Sequence, residues 1–420
     1  MLDVKPDPSK DSSHSAAFCS ARDLLGDPTD WSLAPIVEWL ISKDSKFTDP
    51  SKFLEALTTQ LLKVGAPINR VRLGFMTIHP QVAAFSFVWI KGVSGITPME
   101  IGHGYRTSKM FIGSPGEKLF DTREMVRYKI CELDVSNEHG AIQDVAATGA
   151  TDYIGLPMFT TTEDIHNLFI STDKPGGFTD LDIEKFQLLA QHIQVKVELL
   201  ASQHLTLALL NTYVGKRTSK RVLQGQIKRG QGEEIQAALW FSDLRDFTHL
   251  TETLPVDELL ELLNDYFELV YDAVTNNGGE VLRFIGDAML VVFTAENSST
   301  GCLFGASEGA FRASEEAYRR LDELNTERKK KGKPTFEFGV GLHEGKVTYG
   351  NVGAPDRLDF TVMGPAVNRT ARLESKTKEL GRRRLMSREF ADRIMRNVES
   401  LGFHHLKGVN ENIEICAIAK

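Results

Sequence analysis

Four cysteines in 420 residues, Cys19, Cys131, Cys302 and Cys416, stand far apart and form no Cys-x-x-Cys pair. That sparsity excludes a disulfide frame and a cysteine-based zinc site, and it reads as free thiols of a cytoplasmic protein. No apolar run approaches the ~20 residues that a membrane-spanning helix needs. The first residues, Met1-Leu-Asp-Val-Lys-Pro-Asp-Pro, lack a basic stretch followed by an apolar one, so no signal peptide is expected. There is no basic excess either: the formal net charge is −8, which argues against general affinity for nucleic acid or an anionic membrane. What is present is ordinary globular composition, 41% hydrophobic and 25% charged, in a chain long enough for two or three domains.

Two apolar runs end at aspartates where strands should end. One is 238–248, Ala-Leu-Trp-Phe-Ser-Asp243-Leu-Arg-Asp-Phe-Thr. The other is 281–290, Val-Leu-Arg-Phe-Ile-Gly-Asp287-Ala-Met-Leu. Between them Leu259, Leu262, Leu263, Tyr266, Phe267 and Val270 recur at helical spacing, and Asn276-Asn-Gly-Gly279 stops that helix. If the two strands lie side by side, Asp243 and Asp287 meet. Paired carboxylates repel, raise each other's pKa and favour a divalent cation. Mg2+ takes oxygen ligands from carboxylates and substrate phosphates, and two such ions suit phosphoryl chemistry. Taken singly, each aspartate reads equally well as a strand-end cap or a solvated loop residue.

Elsewhere the chain reads as follows. Residues 1–30, rich in Ser, Asp, Pro and Lys, suggest a disordered tail. Helical patterns fall at 31–41 and 53–64. Strands are expected at 72–78, 83–90 and 110–112, and in parts of 127–133, 150–158 and 165–171, before a long helix from about 179. Helices, a mixed sheet and an exit helix over 31–180 make an α+β sensor. His79, Trp89, His103, Tyr105 and His139 could border a pocket there, or be core and surface residues; no ligand is assigned. Residues 181–231 form a helical connector. Phe186, Leu189, Ile193, Leu200 and Leu207 sit near a seven-residue seam, compatible with a coiled coil or with one amphipathic helix packed on its own domain. Arg217, Lys220, Arg221, Lys228 and Arg229 read as a solvated basic face. Past Asp287, 290–293 continues the strand, with further strands at 335–342, 347–353, 358–364, 401–407 and 411–419 and helices at 307–324 and 365–379.

Phe241-Ser-Asp-Leu-Arg-Asp-Phe-Thr248 and Phe284-Ile-Gly-Asp-Ala288 resemble the metal-binding segments of class III nucleotide cyclases. Phe338-Gly-Val-Gly-Leu-His-Glu-Gly345, Gly350-Asn-Val-Gly353 and Val367-Asn-Arg-Thr-Ala-Arg-Leu-Glu374 resemble further motifs of that family, in the same order. The likeness covers 232–420 and implies a ferredoxin-like, palm-type catalytic domain. The phrase 176–190 resembles the end of GAF domains, with a PAS-like sheet as the alternative for the sensor.

The resemblance implies roles. Asp243, Asp287 and the Leu244 carbonyl would hold two Mg2+ (or Mn2+) ions per site. Asn368 would orient the ribose and Arg372 stabilise the α-phosphoryl transition state; four apart, they share a helix face. Lys407 would meet the β- and γ-phosphates. Arg283 and Thr361 occupy the base-selecting positions, where adenylate cyclases of the class usually carry Lys with Asp or Thr. Arg283 can only donate, which suits adenine N1, and Thr361 can accept from N6–H. That favours ATP as substrate. A guanylate or relaxed-specificity cyclase, and an inactive nucleotide- or ligand-responsive binding module, remain as alternatives. Asp246 stands where the family usually has Gly. In this class the metal residues and the Asn/Arg set come from different subunits, so a homodimer is implied, regulated through a sensor with its own small-molecule ligand, with no nucleic-acid or membrane partner.

Overall fold

The computed structural model describes residues 30–77, 79, 81–160, 165–298, 301–409 and 411–419. The expected tail, Cys19 and Pro80 lie outside the described residues. The chain divides into two units that meet between Leu209 and Leu210.

The first unit opens with α1 (Ala34–Ile41) and α2 (Pro50–Lys63). Pro50 sits at the first helical position, and the Asp49 carboxylate accepts from the N–H groups of Ser51 and Lys52, so α2 starts where its free donors are met. There follow β1 (Arg70–Met76), β2 (Val82–Ile90), β3 (Thr97–Gly102), α3 (Pro115–Thr122), β4 (Val126–Tyr128), α4 (Gly140–Ala146), β5 (Asp152–Phe159), β6 (Ile165–Thr172) and the long α5 (Asp180–Val214). The six strands form one sheet in the order β3-β2-β1-β6-β5-β4, antiparallel at every pairing. Strand alternation gives the sheet two faces. Leu73, Ile154, Leu168 and Ile170 pack against Phe53 and Leu57 of α2 and against Phe186, Leu189 and Ile193 of α5. Tyr153, Ile165 and Phe169 pack on the other side with Leu119 and Val145.

Two buried carboxylates brace this unit, each with its partners. Asp152 pairs with Arg127 at 2.8 Å and accepts from the Phe178 N–H at 3.0 Å. Asp182 accepts from Trp31 Nε1 at 2.7 Å and from the Thr179 N–H at 2.9 Å.

One expectation fails here. Residues 110–112 form a turn, not a strand, leading to Ser114, whose hydroxyl accepts from the Glu117 N–H and caps α3. The third strand is instead β3, an edge strand whose residues are mostly exposed, so it carries no apolar alternation to reveal it. The seam on α5 also resolves: Phe186, Leu189, Ile193 and Leu200 are buried in their own unit's core, while Leu207 is exposed.

The second unit runs α6 (Lys216–Leu223), β7 (Gly232–Leu244), α7 (Phe247–Thr253), α8 (Val256–Asn276), β8 (Gly279–Ile285), β9 (Ala288–Thr294), α9 (Leu303–Lys330), β10 (Phe338–Ala354), β11 (Arg357–Met363), α10 (Pro365–Glu379), β12 (Arg384–Ser387), α11 (Arg388–Ala391), β13 (Val398–His404) and β14 (Ile413–Ile418). Its eight-stranded sheet follows the path β13-β14-β12-β10-β7-β9-β8, with β11 paired to β10. The β10–β12 pairing is parallel and the others are antiparallel. Trp240, Tyr266, Phe293, Phe311 and Phe338 are fully buried between the sheet and α8 and α9. Each such side chain contributes about 1.5–3 kcal/mol by leaving water.

The basic face of the connector is not solvated throughout. Arg221 lies 4.8 Å from the Tyr349 ring centre, and Arg217 donates to Thr294 Oγ1 at 2.8 Å, so α6 docks on the second sheet through its arginines.

Candidate active site

The two aspartate-bearing strands are not neighbours: β9 lies between β7 and β8. Residues 290–293 do not continue the strand that approaches Asp287 but return antiparallel to it. Gly286 (φ +65°) and Asp287 form the β8–β9 turn. Because β9 starts at Ala288 and pairs with β7 as far as Ser242 opposite Met289, the turn still delivers Asp287 to Asp243. There the Asp287 side chain lies near enough to raise the pKa of the Asp243 carboxyl.

A third carboxylate joins them. Gly339 pairs with Asp243 across β10 and β7, and Glu374 of α10 lies over Gly339. A Cβ on Gly341 would overlap the Thr370 carbonyl, so glycine is what lets α10 approach β10 this closely. Burial, the adjacent Asp287 side chain and the charge of Glu374 hold the Asp243 carboxyl well above the usual carboxylate range. Burial pushes Glu374 up to about 7. Among the described residues, Asp243 Oδ1 is buried without a hydrogen-bond partner. A divalent cation on Asp243 and Asp287 would satisfy that oxygen and relieve the repulsion, so the donor set fits Mg2+ or Mn2+. Tyr266 fixes the floor beneath: its hydroxyl and Ser242 Oγ are 2.9 Å apart, tying α8 to β7 beside Asp243.

Leu244 ends β7 and is buried. Asp246, just beyond, takes φ +56°, a left-handed conformation that glycine adopts most readily and that Asp tolerates better than most residues do. Its carboxylate pairs with Lys378 at 2.6 Å rather than facing Asp243 unopposed, and that ammonium lowers its pKa.

The remaining residues gather elsewhere. Asn368 and Arg372 are both exposed on α10, one turn apart. Asn368 borders an open cleft of about 780 Å3 with Val362, Met363, Gly408 and Val409; Lys407 immediately precedes that last pair and is exposed. Neither Asp243 nor Asp287 lines this cleft. Thr361 is buried in β11. Arg283, half-exposed on β8, does not stand alone: its Nη2 is 2.8 Å from Asp359 Oδ2 on β11.

Sequence reasoning missed two of these groups. Glu374 ends a quoted motif but received no role, although Thr370, Glu374 and Thr377 recur at helical spacing and make the buried polar face of α10. Asp359 gave no local signal; only the meeting of β8 and β11 reveals it.

Residues 231–411 match the family described as the adenylate and guanylate cyclase catalytic domain. An adenylate cyclase of Anabaena cylindrica is 30% identical over 193 residues, 45% of this chain and 36% of that protein. Adenylate cyclase 1 of Rhizobium meliloti is 26% identical over 270 residues, 62% of this chain and 39% of that one. The chain thus spans well under half the length of these relatives. Among solved structures, the adenylyl cyclase CyaB from P. aeruginosa is 27% identical with a TM-score of 0.41, covering 45% of this chain and 96% of that one. No helix among the described residues is long and apolar enough to cross a membrane. Motifs, carboxylate geometry and family match coincide on one segment, and residues 231–411 are a class III adenylate and guanylate cyclase catalytic domain.

Proposed function

We propose that this chain is a cytoplasmic, sensor-regulated adenylate cyclase that converts ATP to 3',5'-cyclic AMP and pyrophosphate at sites shared by a homodimer. The observation that carries this is the buried carboxylate pair Asp243–Asp287 with its unpartnered oxygen. The ribose 3'-oxygen attacks the α-phosphorus, the bond from that phosphorus to the bridging oxygen breaks, pyrophosphate leaves, and the hydroxyl proton passes to solvent. Asp243, Asp287 and the Leu244 carbonyl hold two divalent cations. When bound, these lower the pKa of the 3'-hydroxyl and neutralise phosphate charge. Asn368 orients the ribose, Arg372 stabilises charge on the α-phosphoryl group, and Lys407 binds the outer phosphates. Arg283 donates to adenine N1 and Thr361 accepts from N6–H.

The separation of the Asn368 cleft from the aspartate pair supports a composite site, in which one copy supplies carboxylates and the other Asn368 and Arg372. Exposed Phe284 and Ile285 beside Asp287, and exposed Val195 and Leu199 on α5, offer apolar surface for the partner copy. The unit over 31–180 acts as a GAF-like sensor, supported by its antiparallel sheet, flanking helices and exit helix.

One observation favours a second reading. Asp359 beside Arg283 is an acceptor that could take guanine N1–H, which suits relaxed specificity. Incubating the purified protein with Mn2+ or Mg2+ and each triphosphate tests both. Cyclic AMP in excess over cyclic GMP is expected; equal yields favour relaxed specificity, and no cyclic product from either rejects the cyclase.

A further inference from the structure

In the first unit, a cavity of about 320 Å3 opens against the sheet face opposite α2 and α5. Its floor carries Arg72 and Gly74 of β1, Tyr153 of β5, and Asn167 and Phe169 of β6. Gly74 lies directly opposite Asn167 in the β1–β6 register, and a Cβ there would overlap the Asn167 amide, so the missing side chain makes the room. Rings dominate the walls. Tyr153 and Phe169 stack at 5.3 Å, and Tyr105 meets Phe111 edge-on at 5.2 Å. Such walls select a flat, apolar body.

The polar groups are lopsided in charge. Arg72 and Arg106 both border the cavity, and among the described residues neither pairs with a carboxylate and no Asp or Glu lines the space. Arg72 Nε donates to Ser86 Oγ at 2.7 Å, which uses one of its five N–H groups. Arg106 lies 5.4 Å from the Phe120 ring centre. Among the described residues, two buried oxygens on residues that line the same space, Asn167 Oδ1 and Thr77 Oγ1, have no hydrogen-bond partner. Native proteins rarely leave such atoms unmet.

We propose that this cavity binds a small planar aromatic anion that also carries a hydrogen-bond donor. The rings stack on its body, Arg72 and Arg106 balance its charge, and its donor meets Asn167 Oδ1. An aromatic carboxylic acid or a nucleoside monophosphate would supply that chemistry. The proposal gives the sensor reading its ligand and rests on that reading for its regulatory consequence, not for binding itself.

Titration calorimetry on the full chain tests it with 4-hydroxyphenylacetate, adenosine 5'-monophosphate, tyramine and 4-ethylphenol. One of the two anions should bind, at least about tenfold more tightly than the amine or the neutral phenol, since like charge opposes the amine; which anion binds identifies the source. Asn167→Asp keeps the shape but adds negative charge, and Arg72→Gln removes the opposing one. Each should weaken the bound anion at least about tenfold while melting close to wild type. Equal binding of amine and acid, no saturable binding of either anion, or unchanged binding by both variants overturns the proposal. If the anion binds as expected but cyclic-nucleotide production does not respond to it, the cavity assignment stands and the sensor reading fails.

Discussion

In the C-terminal unit three carboxylates, Asp243, Asp287 and Glu374, crowd one end of a sheet. In the N-terminal unit Arg72, on a strand of another sheet, and Arg106, in the turn that follows β3, border a cavity that no acid lines among the described residues. The N-terminal unit also contains buried aspartates that are matched within the fold: Asp152 has Arg127, and Asp182 has Trp31 and Thr179. The contrast separates structure from function. The buried aspartates that brace the fold are paired within it, whereas Asp243 Oδ1 has no partner and, among the described residues, neither the partly buried Arg72 nor the exposed Arg106 pairs with a carboxylate.

The sharpest way to break this comparison is to remove the unmatched charge. Asp243→Ala or Asp287→Ala should lower cyclisation by about 10³-fold or more, because each deletes a cation ligand and little core volume. In metal-free buffer at pH 8, Asp243→Asn should melt higher than wild type, since the repulsion it removes has no compensation without the cation. The raised pKa of Asp243 means that the unfolded chain releases this proton first, so stability falls as pH rises from the ordinary carboxylate range through the folded value. A variant that melts lower and still turns over places the cation elsewhere.

Much of this site was legible in the sequence. Apolar runs ending at Asp243 and Asp287, and helical spacing from Leu259 to Val270, gave the elements and the residues that meet. Residues 365–379 are a helix as expected. What the residues alone did not specify was pairing. The strand after Asp287 turns back to lie beside β7, because Gly286 can take a positive φ, and an apolar run reads the same whether it continues or reverses. Residues 335–342 and 347–353 merge into one strand, β10, for a like reason: Glu344, Gly345 and Lys346 suggest a turn, yet all three stay in register with β7. Pairings between residues far apart in sequence, such as Asp359 with Arg283, leave no local signal.

Base selection gives the next largest effect. If Arg283 meets the base as proposed, Arg283→Glu sets a carboxylate against adenine N1. A mismatch of about 1–3 kcal/mol should cut kcat/KM for ATP by roughly five- to over a hundredfold, with GTP affected less or improved. Arg283→Lys should keep the ATP preference because the donor remains. An unchanged ATP/GTP ratio in Arg283→Glu means that this side chain does not touch the base.

An effect of similar size, on stability rather than on turnover, concerns a buried histidine to which no binding role is assigned. Burial depresses His343 to about 4, and the ring nitrogen Nδ1 sits 2.8 Å from Ser387 Oγ. The unfolded chain takes up this proton near pH 6.5 and the folded chain near 4. Between those values the unfolded state holds more protons, so stability is full above 6.5 and falls as pH drops toward 4, by on the order of 2–3 kcal/mol. Denaturant unfolding at stepped pH should show that loss in wild type and a flatter profile in His343→Gln. Equal slopes would assign the acid sensitivity to other groups.

The central claim is that the carboxylates of one copy act with Asn368 and Arg372 of another. Asp287→Ala and Arg372→Ala chains, each inactive alone, are mixed under conditions where subunit exchange is verified by a tag on one partner. The account predicts that cyclic AMP production returns, up to about a quarter of the wild-type rate, since half the dimers are mixed and each mixed dimer keeps one of two sites. Verified exchange with no recovered activity would contradict it.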